Sequence, residues 1–146
     1  YEGSLLVPMR SGKNLVGCQV IAEDGSKKFL YGQQTKGAEL VCDNKGRHIL
    51  CEGYATALSV RRALMEMKMR YTIHVCFSAA NMVDVAAWLP NAFVIADNDE
   101  SKTGLNAAKK TKRPFWMSPN TGEDANDFEL RCGTIALGEA LKLALC

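Results

Sequence analysis

From Arg47 onward, short apolar runs alternate with helix-like stretches, and this alternation constrains the chain more than any other feature. HILCE, TIHVCFS, AFVIADND and PFWMS carry the β-branched and aromatic residues of buried strands. Between them, YATALSVRRALMEMKMR places Ala55, Leu58, Ala63, Met65 and Met69 at roughly helical spacing. NMVDVAAWL and TGLNAAKKTK read as two further helices, stopped by Pro90 and Pro114. After the loop PNTGEDANDF, the run TIALGEALKLAL reads as a last helix. Strands joined through helices lie parallel, because the crossover needs the length of a helix, and the helices then cover both faces. The expected fold is α/β, with a mainly parallel four-stranded sheet flanked by helices.

Residues 1–46 follow another pattern. SLLVPM, LVGCQVIA and KKFLYG are short β-prone runs separated by the turn sequences SGKN and EDGS. They predict a small antiparallel unit of two or three strands ending near Gly37, and AELVCDNKG leaves room for one more short strand. The expected division is a small β-rich N-terminal subdomain over 1–46 and a second domain over 47–146.

A length of 146 residues with 47% hydrophobic content supports one sizeable core. No apolar run approaches the roughly 20 residues that span a bilayer, and the first residues lack the apolar stretch of a secretory signal. The chain begins with Tyr1 rather than Met and reads as a piece of a longer intracellular protein. Its six cysteines are scattered without any CxxC, and His48 and His74 stand in strand-like runs rather than at ligand spacing. Buried reduced thiols are expected, with no disulfide or zinc framework.

Chemistry concentrates where the apolar runs end. The first ends in Glu52-Gly53 and the third in Asp97-Asn98-Asp99, while Asp124 and Asp127 follow the fourth. The ends of parallel strands share one sheet edge, so these carboxylates converge. Carboxylates brought together raise one another's pKa unless a divalent cation offsets their charge. Hard oxygen ligands point to Mg²⁺ or Mn²⁺, which complete their shells with water and phosphate oxygens. Glu52 projects over the edge as candidate general base; Asp97 and Asp99 alternate on their strand end, with Asn98 directed elsewhere. Gly53 permits a tight turn and close backbone approach, and the helix behind it offers free N–H groups to a phosphate. Taken singly, Glu52 can be a helix N-terminal carboxylate, Asp99 and Asp127 helix caps, and Asn81 the cap of the helix after CFSAAN. Glu123 competes with its neighbours for a place in the site.

Net charge is only +2, but Lys102, Lys109, Lys110, Lys112 and Arg113 form a run without an acid, and Arg61, Arg62, Lys68 and Arg70 face only Glu66. Basic surface beside an acidic pocket suits a polyanion held near metal ions. Ordinary solvated helix faces explain each cluster equally well.

Together, CEGYATALS, VIADND followed by TGLNAA, and EDANDF resemble the Toprim domain, the metal-dependent core of bacterial-type primases, type IA and type II topoisomerases and some nucleases. The resemblance spans about residues 47 to 145 and is nearest to primases of phages, plasmids and mobile elements. LLVPMRSGKNLVGCQVIAEDGSKKFLYG is similar to the strand-rich stretch that precedes Toprim in those proteins. It implies a Toprim-like, Rossmann-like sheet with Glu52 as catalytic base and Asp97, Asp99, Asp127 and Asp124 as metal ligands. Gly53, Lys36, Arg10, Lys102 and Lys109 are the expected contacts to nucleotide or nucleic acid, and Lys27 and Lys28 are further candidates that solvated turns explain equally well. The implied activity is synthesis of short RNA primers on single-stranded DNA from nucleoside triphosphates in the cytoplasm of a bacterial host. The implied partners are a replicative helicase or flanking zinc-binding and helicase modules. Thr56 stands where much of the superfamily has an acid, and Glu100 to Thr103 lengthen the gap before Gly104. Topoisomerase chemistry needs a nucleophilic tyrosine, and Tyr54 and Tyr71 lie at a helix start and a strand start without supporting context. A Toprim nuclease, or a nucleic-acid-binding accessory domain without turnover, remains the alternative.

Overall fold

The computed structural model describes residues 1–146 and contains two sheets. The first is antiparallel, in the order β1 (Leu5–Ser11), β2 (Asn14–Ile21), β3 (Lys27–Phe29). Turns at Gly12 and Gly25 adopt positive φ, which explains the glycines in SGKN and EDGS. This sheet buries Val7, Met9 and Val20, and Val7 and Met9 join the main core.

The second sheet has five strands, in the order β4 (Leu40–Asp43), β6 (Tyr71–Val75), β5 (Arg47–Cys51), β7 (Phe93–Ala96), β8 (Phe115–Met117). Pairings from β6 to β8 are parallel, and β4 adds an antiparallel edge against β6. The sheet therefore has one strand more than the four that the apolar runs predict. Four residues alternating between half-buried and exposed leave β4 too short a pattern to identify unaided. Its register is unambiguous once β6 is present, with Leu40 opposite Val75 and Asp43 opposite Thr72.

Helices α1 (Tyr54–Glu66), α2 (Ala79–Trp88), α3 (Thr103–Thr111), α4 (Ala125–Cys132) and α5 (Thr134–Leu145) divide between the faces. Alternate strand residues point to opposite layers. Ile49, Ile73 and Ile95 join Val60, Leu64, Leu137 and Leu141 on one side, and Leu50 and Val94 join Met82, Ala86 and Ala108 on the other. Each fully buried aliphatic side chain contributes about 1.5–3 kcal/mol, so both layers are needed to hold the sheet.

Several polar residues have local structural work. Ser78, rather than Asn81, caps α2, its hydroxyl accepting the Asn81 N–H at 3.1 Å. Asn81 is buried and holds the linker instead, accepting the Gly37 N–H and donating to the carbonyls of Thr35 and Ala38. Backbone bonds in both directions between Arg10 and Glu39, at 2.9 and 2.8 Å, join the same linker to β1. Arg113 donates to the carbonyls of Ala86 and Leu89, closing the C-terminal end of α2, so it leaves the basic surface expected of the 102–113 run. All six cysteines are free: Cys51 and Cys76 are buried, Cys132 and Cys146 exposed. No helix is long and apolar enough to cross a membrane.

Candidate active site

Strands β5 and β7 are parallel neighbours, with Cys51 opposite Ile95. The next residues therefore emerge together at the C-terminal edge: Glu52 after β5 and Asp97 after Ala96 of β7. Asn98 turns its side chain away from them, donating to the Ser118 carbonyl at 2.8 Å, while its backbone bridges to Glu123. These bonds fold residues 118–123 back against the end of β7 and deliver Asp124 to the same edge.

Asp97, Asn98, Asp99, Gly122, Glu123, Asp124 and Asp127 line a cleft of about 160 Å³ without an apolar side chain. Glu52 flanks it closely enough to perturb Asp97. Burial, then the charges of Glu52, Asp124 and Asp99, push Asp97 up to about 7 from the ordinary aspartate value. Glu52 is raised by burial and Asp99, against a pull from Lys27. Asp124 is also raised by burial, partly offset by the N–H of Asp127. Three carboxyl groups at one edge are thus held above their normal range, the signature of negative charge awaiting a counter-ion.

Helix capping accounts for part of the acidic cluster but not for Asp97. PNTGEDANDF is not loop throughout, because α4 begins inside it at Ala125. Asp124, not Asp127, is its N-cap: Asp124 Oδ1 accepts the Asp127 N–H at 2.8 Å, and Asp127 Oδ2 accepts the Asp124 N–H at 3.1 Å. Asp99 accepts the Gly104 N–H at 3.2 Å and the Ser101 hydroxyl at 3.1 Å, although the residue preceding α3 is Lys102, in left-handed conformation. Glu123 takes no open position, since Arg131 grips it at 2.8 Å through Nε and again through its terminal nitrogen, and the Ser118 hydroxyl donates to it. By contrast, Asp97 Oδ1 is buried without any hydrogen-bond partner. An unpaired buried carboxylate oxygen costs free energy unless something outside the protein's own groups meets it. A hard cation suits that unpaired oxygen and this all-oxygen donor set. No three His, Cys, Asp or Glu side chains form a ready-made cage, and an ion of the Mg²⁺ kind, which keeps waters and takes substrate oxygens, does not need one.

Two backbone details hold the edge. A Cβ on Gly104 would stand 2.2 Å from the Asp97 carbonyl oxygen, so only glycine lets the start of α3 pack on the end of β7. The lengthened gap before Gly104 is spanned by Asp99 and Ser101. Phe77, following β6, has φ +69 and donates its N–H to the Glu52 carbonyl at 2.8 Å. A bulky left-handed residue beside a candidate catalytic glutamate is local strain held by the surrounding structure.

The expected cationic contacts are dispersed. Arg10 lies on β1 and donates to the Lys13 carbonyl; Lys36 is exposed in the linker. Lys102 is exposed at the start of α3, near Asp99, whereas Lys109 lies in its last turn, roughly 10 Å farther along the axis. Gly53 is the N-cap of α1 and supplies no side-chain cap to the free N–H groups there. The cation that reaches the carboxylates is Lys27 of β3, whose charge acts on Glu52, Asp97 and Asp124. A Cβ on Gly53 would lie 3.6 Å from Lys27 Nζ. In sequence, Lys27 is one of two adjacent lysines after a turn; only the docking of the N-terminal sheet singles it out.

Comparison with known proteins agrees with this architecture. A crystal structure of a DNA primase domain from Pseudomonas aeruginosa superimposes with a TM-score of 0.57 at 15% identity, covering 99% of this chain and 51% of that one. The present chain thus spans about half the length of that domain, and the shared feature is the fold. The family model of the Toprim domain matches residues 47–134, from the start of β5 to the start of α5. With that match over more than half of its length, and with Glu52, Asp97 and Asp99 at the edge where β5 and β7 end, the chain belongs to the Toprim domain family.

Proposed function

We propose that this chain is the catalytic core of a primase of the phage, plasmid or mobile-element type, which joins ribonucleotides into short primers on single-stranded DNA. The observation that carries the proposal is the convergence of Glu52, Asp97, Asp99, Asp124 and Asp127 on one edge, with Asp97 Oδ1 buried and unpaired. Membership of the Toprim family and likeness to a primase domain support a role in nucleic-acid processing for replication.

Asp97 and Asp99 are the residues that would hold Mg²⁺ or Mn²⁺, with Asp124 and Asp127 beside them. Such an ion, when bound, orients the attacking hydroxyl and stabilises charge on phosphorus and on the departing pyrophosphate. The rest belongs to the chain. Glu52, whose affinity for a proton is already raised by burial, accepts the proton of the primer's 3′-hydroxyl. Gly53 leaves the start of α1 open to a phosphate, and Lys27 stands over that turn to meet phosphate charge. Lys102 lies close enough to contribute, while Arg10, Lys36 and Lys109 contact template farther away. The working assembly includes single-stranded DNA, nucleoside triphosphates and a replicative helicase or flanking zinc-binding and helicase modules, in the cytoplasm of a bacterial host.

A single gel tests this. The protein is incubated with single-stranded DNA, labelled ribonucleotides and Mg²⁺ or Mn²⁺, beside Glu52→Gln and Asp97→Asn. New short labelled oligonucleotides absent from both variants are the expected result. Shortened DNA would replace primase with nuclease, and turnover surviving in Glu52→Gln would sink the general-base assignment.

A further inference from the structure

A second depression, of about 270 Å³, lies at the β4–β6 side of the sheet beside α2, and Glu39, His74, Asp84 and Trp88 are among its lining residues. It shares no residue with the acidic cleft. Its floor is rigidly built. Glu39 Oε2 lies 2.9 Å from His74 Nδ1, and His74 Nε2 lies 2.8 Å from His48 Nδ1. With Glu39 ionised, His74 donates to it through Nδ1 and accepts from His48 through Nε2, so one chain of bonds fixes the carboxylate. A fixed carboxylate loses little side-chain entropy when it takes a ligand.

The wall comes from α2. Asp84 and Trp88 are four residues apart, so they share one helix face. Trp88 is 85% exposed, unusual for the largest apolar side chain. The ion pairs of the molecule, Arg62–Glu129 and Arg131–Glu123, leave Asp84 out. No lysine or arginine of the chain lines the depression. Two carboxylates and an open indole repel phosphate and attract a cation. Guanidinium suits them better than ammonium, because its plane stacks on an indole while its edge donates to carboxylates in parallel.

We propose that this depression receives an arginine side chain presented by a partner protein, the guanidinium stacked on Trp88 and bridging Asp84 and Glu39. The probe is a blocked Leu-Arg-Leu tripeptide, set against the same peptide with neutral citrulline in place of arginine. Binding is followed through the Trp88 indole N–H resonance, assigned by its loss in Trp88→Phe. The arginine peptide shifts that resonance saturably, the citrulline peptide binds at least tenfold more weakly, and Asp84→Asn weakens the arginine peptide at least tenfold. Asp99→Asn, at the other acidic site, leaves binding unchanged. Equal binding of citrulline, persistence in Asp84→Asn, loss in Asp99→Asn, or no saturable shift up to about 10 mM peptide would each overturn the proposal. So would a dimer in sedimentation equilibrium that Trp88→Phe dissociates, since a second copy would then be the occupant.

Discussion

Two groups of carboxylates, which meet where Glu123 precedes Asp124, behave in opposite ways. On α4, Glu129 accepts from Arg62, Ser59 and Thr134, and just before that helix Glu123 is clasped by Arg131 and Ser118. Their partners hold both below the usual carboxylate range, Glu123 at about 2. At the sheet edge, Glu52, Asp97 and Asp124 are instead pushed up, Asp97 to about 7. The first group has its counter-charges built in and stabilises the fold. The second has only Lys27, whose pull still leaves all three raised, which makes the folded state less favourable and leaves a site for an external cation.

Activity is where the contrast breaks most visibly. Glu52→Gln is expected to lower primer synthesis by about 10²–10⁴-fold, the contribution of a positioned general base, without lowering the melting temperature. Asp97→Asn tests the stability side. An acid whose folded pKa is raised contributes stability that is full below its unfolded value, near 4, and lost as pH rises through about 7. Metal-free Asp97→Asn is therefore more stable than the parent at pH 8, by on the order of 2–3 kcal/mol, with the gap closing towards pH 4. Urea melts at the two pH values check this, and a parent that is equally or more stable at pH 8 refutes the unpaired-charge account. Magnesium should raise the parent's melting temperature at pH 8, less so at pH 6, and leave Asp97→Asn unmoved.

Glu129→Gln should act with the opposite sign, destabilising by about 1–3 kcal/mol at pH 7 because Arg62 and Ser59 lose their charged acceptor. Its contribution is present above the ordinary glutamate value and lost as pH falls through the depressed one, so the variant and parent converge in acid. Glu123→Gln gives the smallest change, because its partner Arg131 is half-exposed and water can take the place of the lost acceptor. It is measured by the same melts, and a shift as large as that of Glu129→Gln would mean that the 118–123 loop carries more of the fold than its hydrogen bonds indicate.

How much of this was legible in the sequence depends on distance along the chain. Glu52 is readable because it ends one apolar run, Asp97 and Asp99 because they end another, and the parallel alternation places such ends on one edge. Strand β4 is not, since its four residues acquire meaning only beside β6. Helix α4 was hidden because turn formers precede it and its own capping residues double as site residues. Charge runs misled most. Arg113 closes a helix end and Lys109 sits far along α3, while Lys27 on β3, one of two adjacent lysine candidates, meets the carboxylates. Counting charges along the chain cannot find a neighbour that a separate sheet supplies.

The seat of the N-terminal sheet also reaches the chemistry. Asn81 holds Thr35, Gly37 and Ala38, and Arg10 pairs with Glu39, so the sheet that carries Lys27 is fastened to α2 through residues 35–39. Loosening that seat withdraws the lysine charge that favours ionisation of Glu52, Asp97 and Asp124, and a linker remote from the acidic edge thereby helps to set its charge.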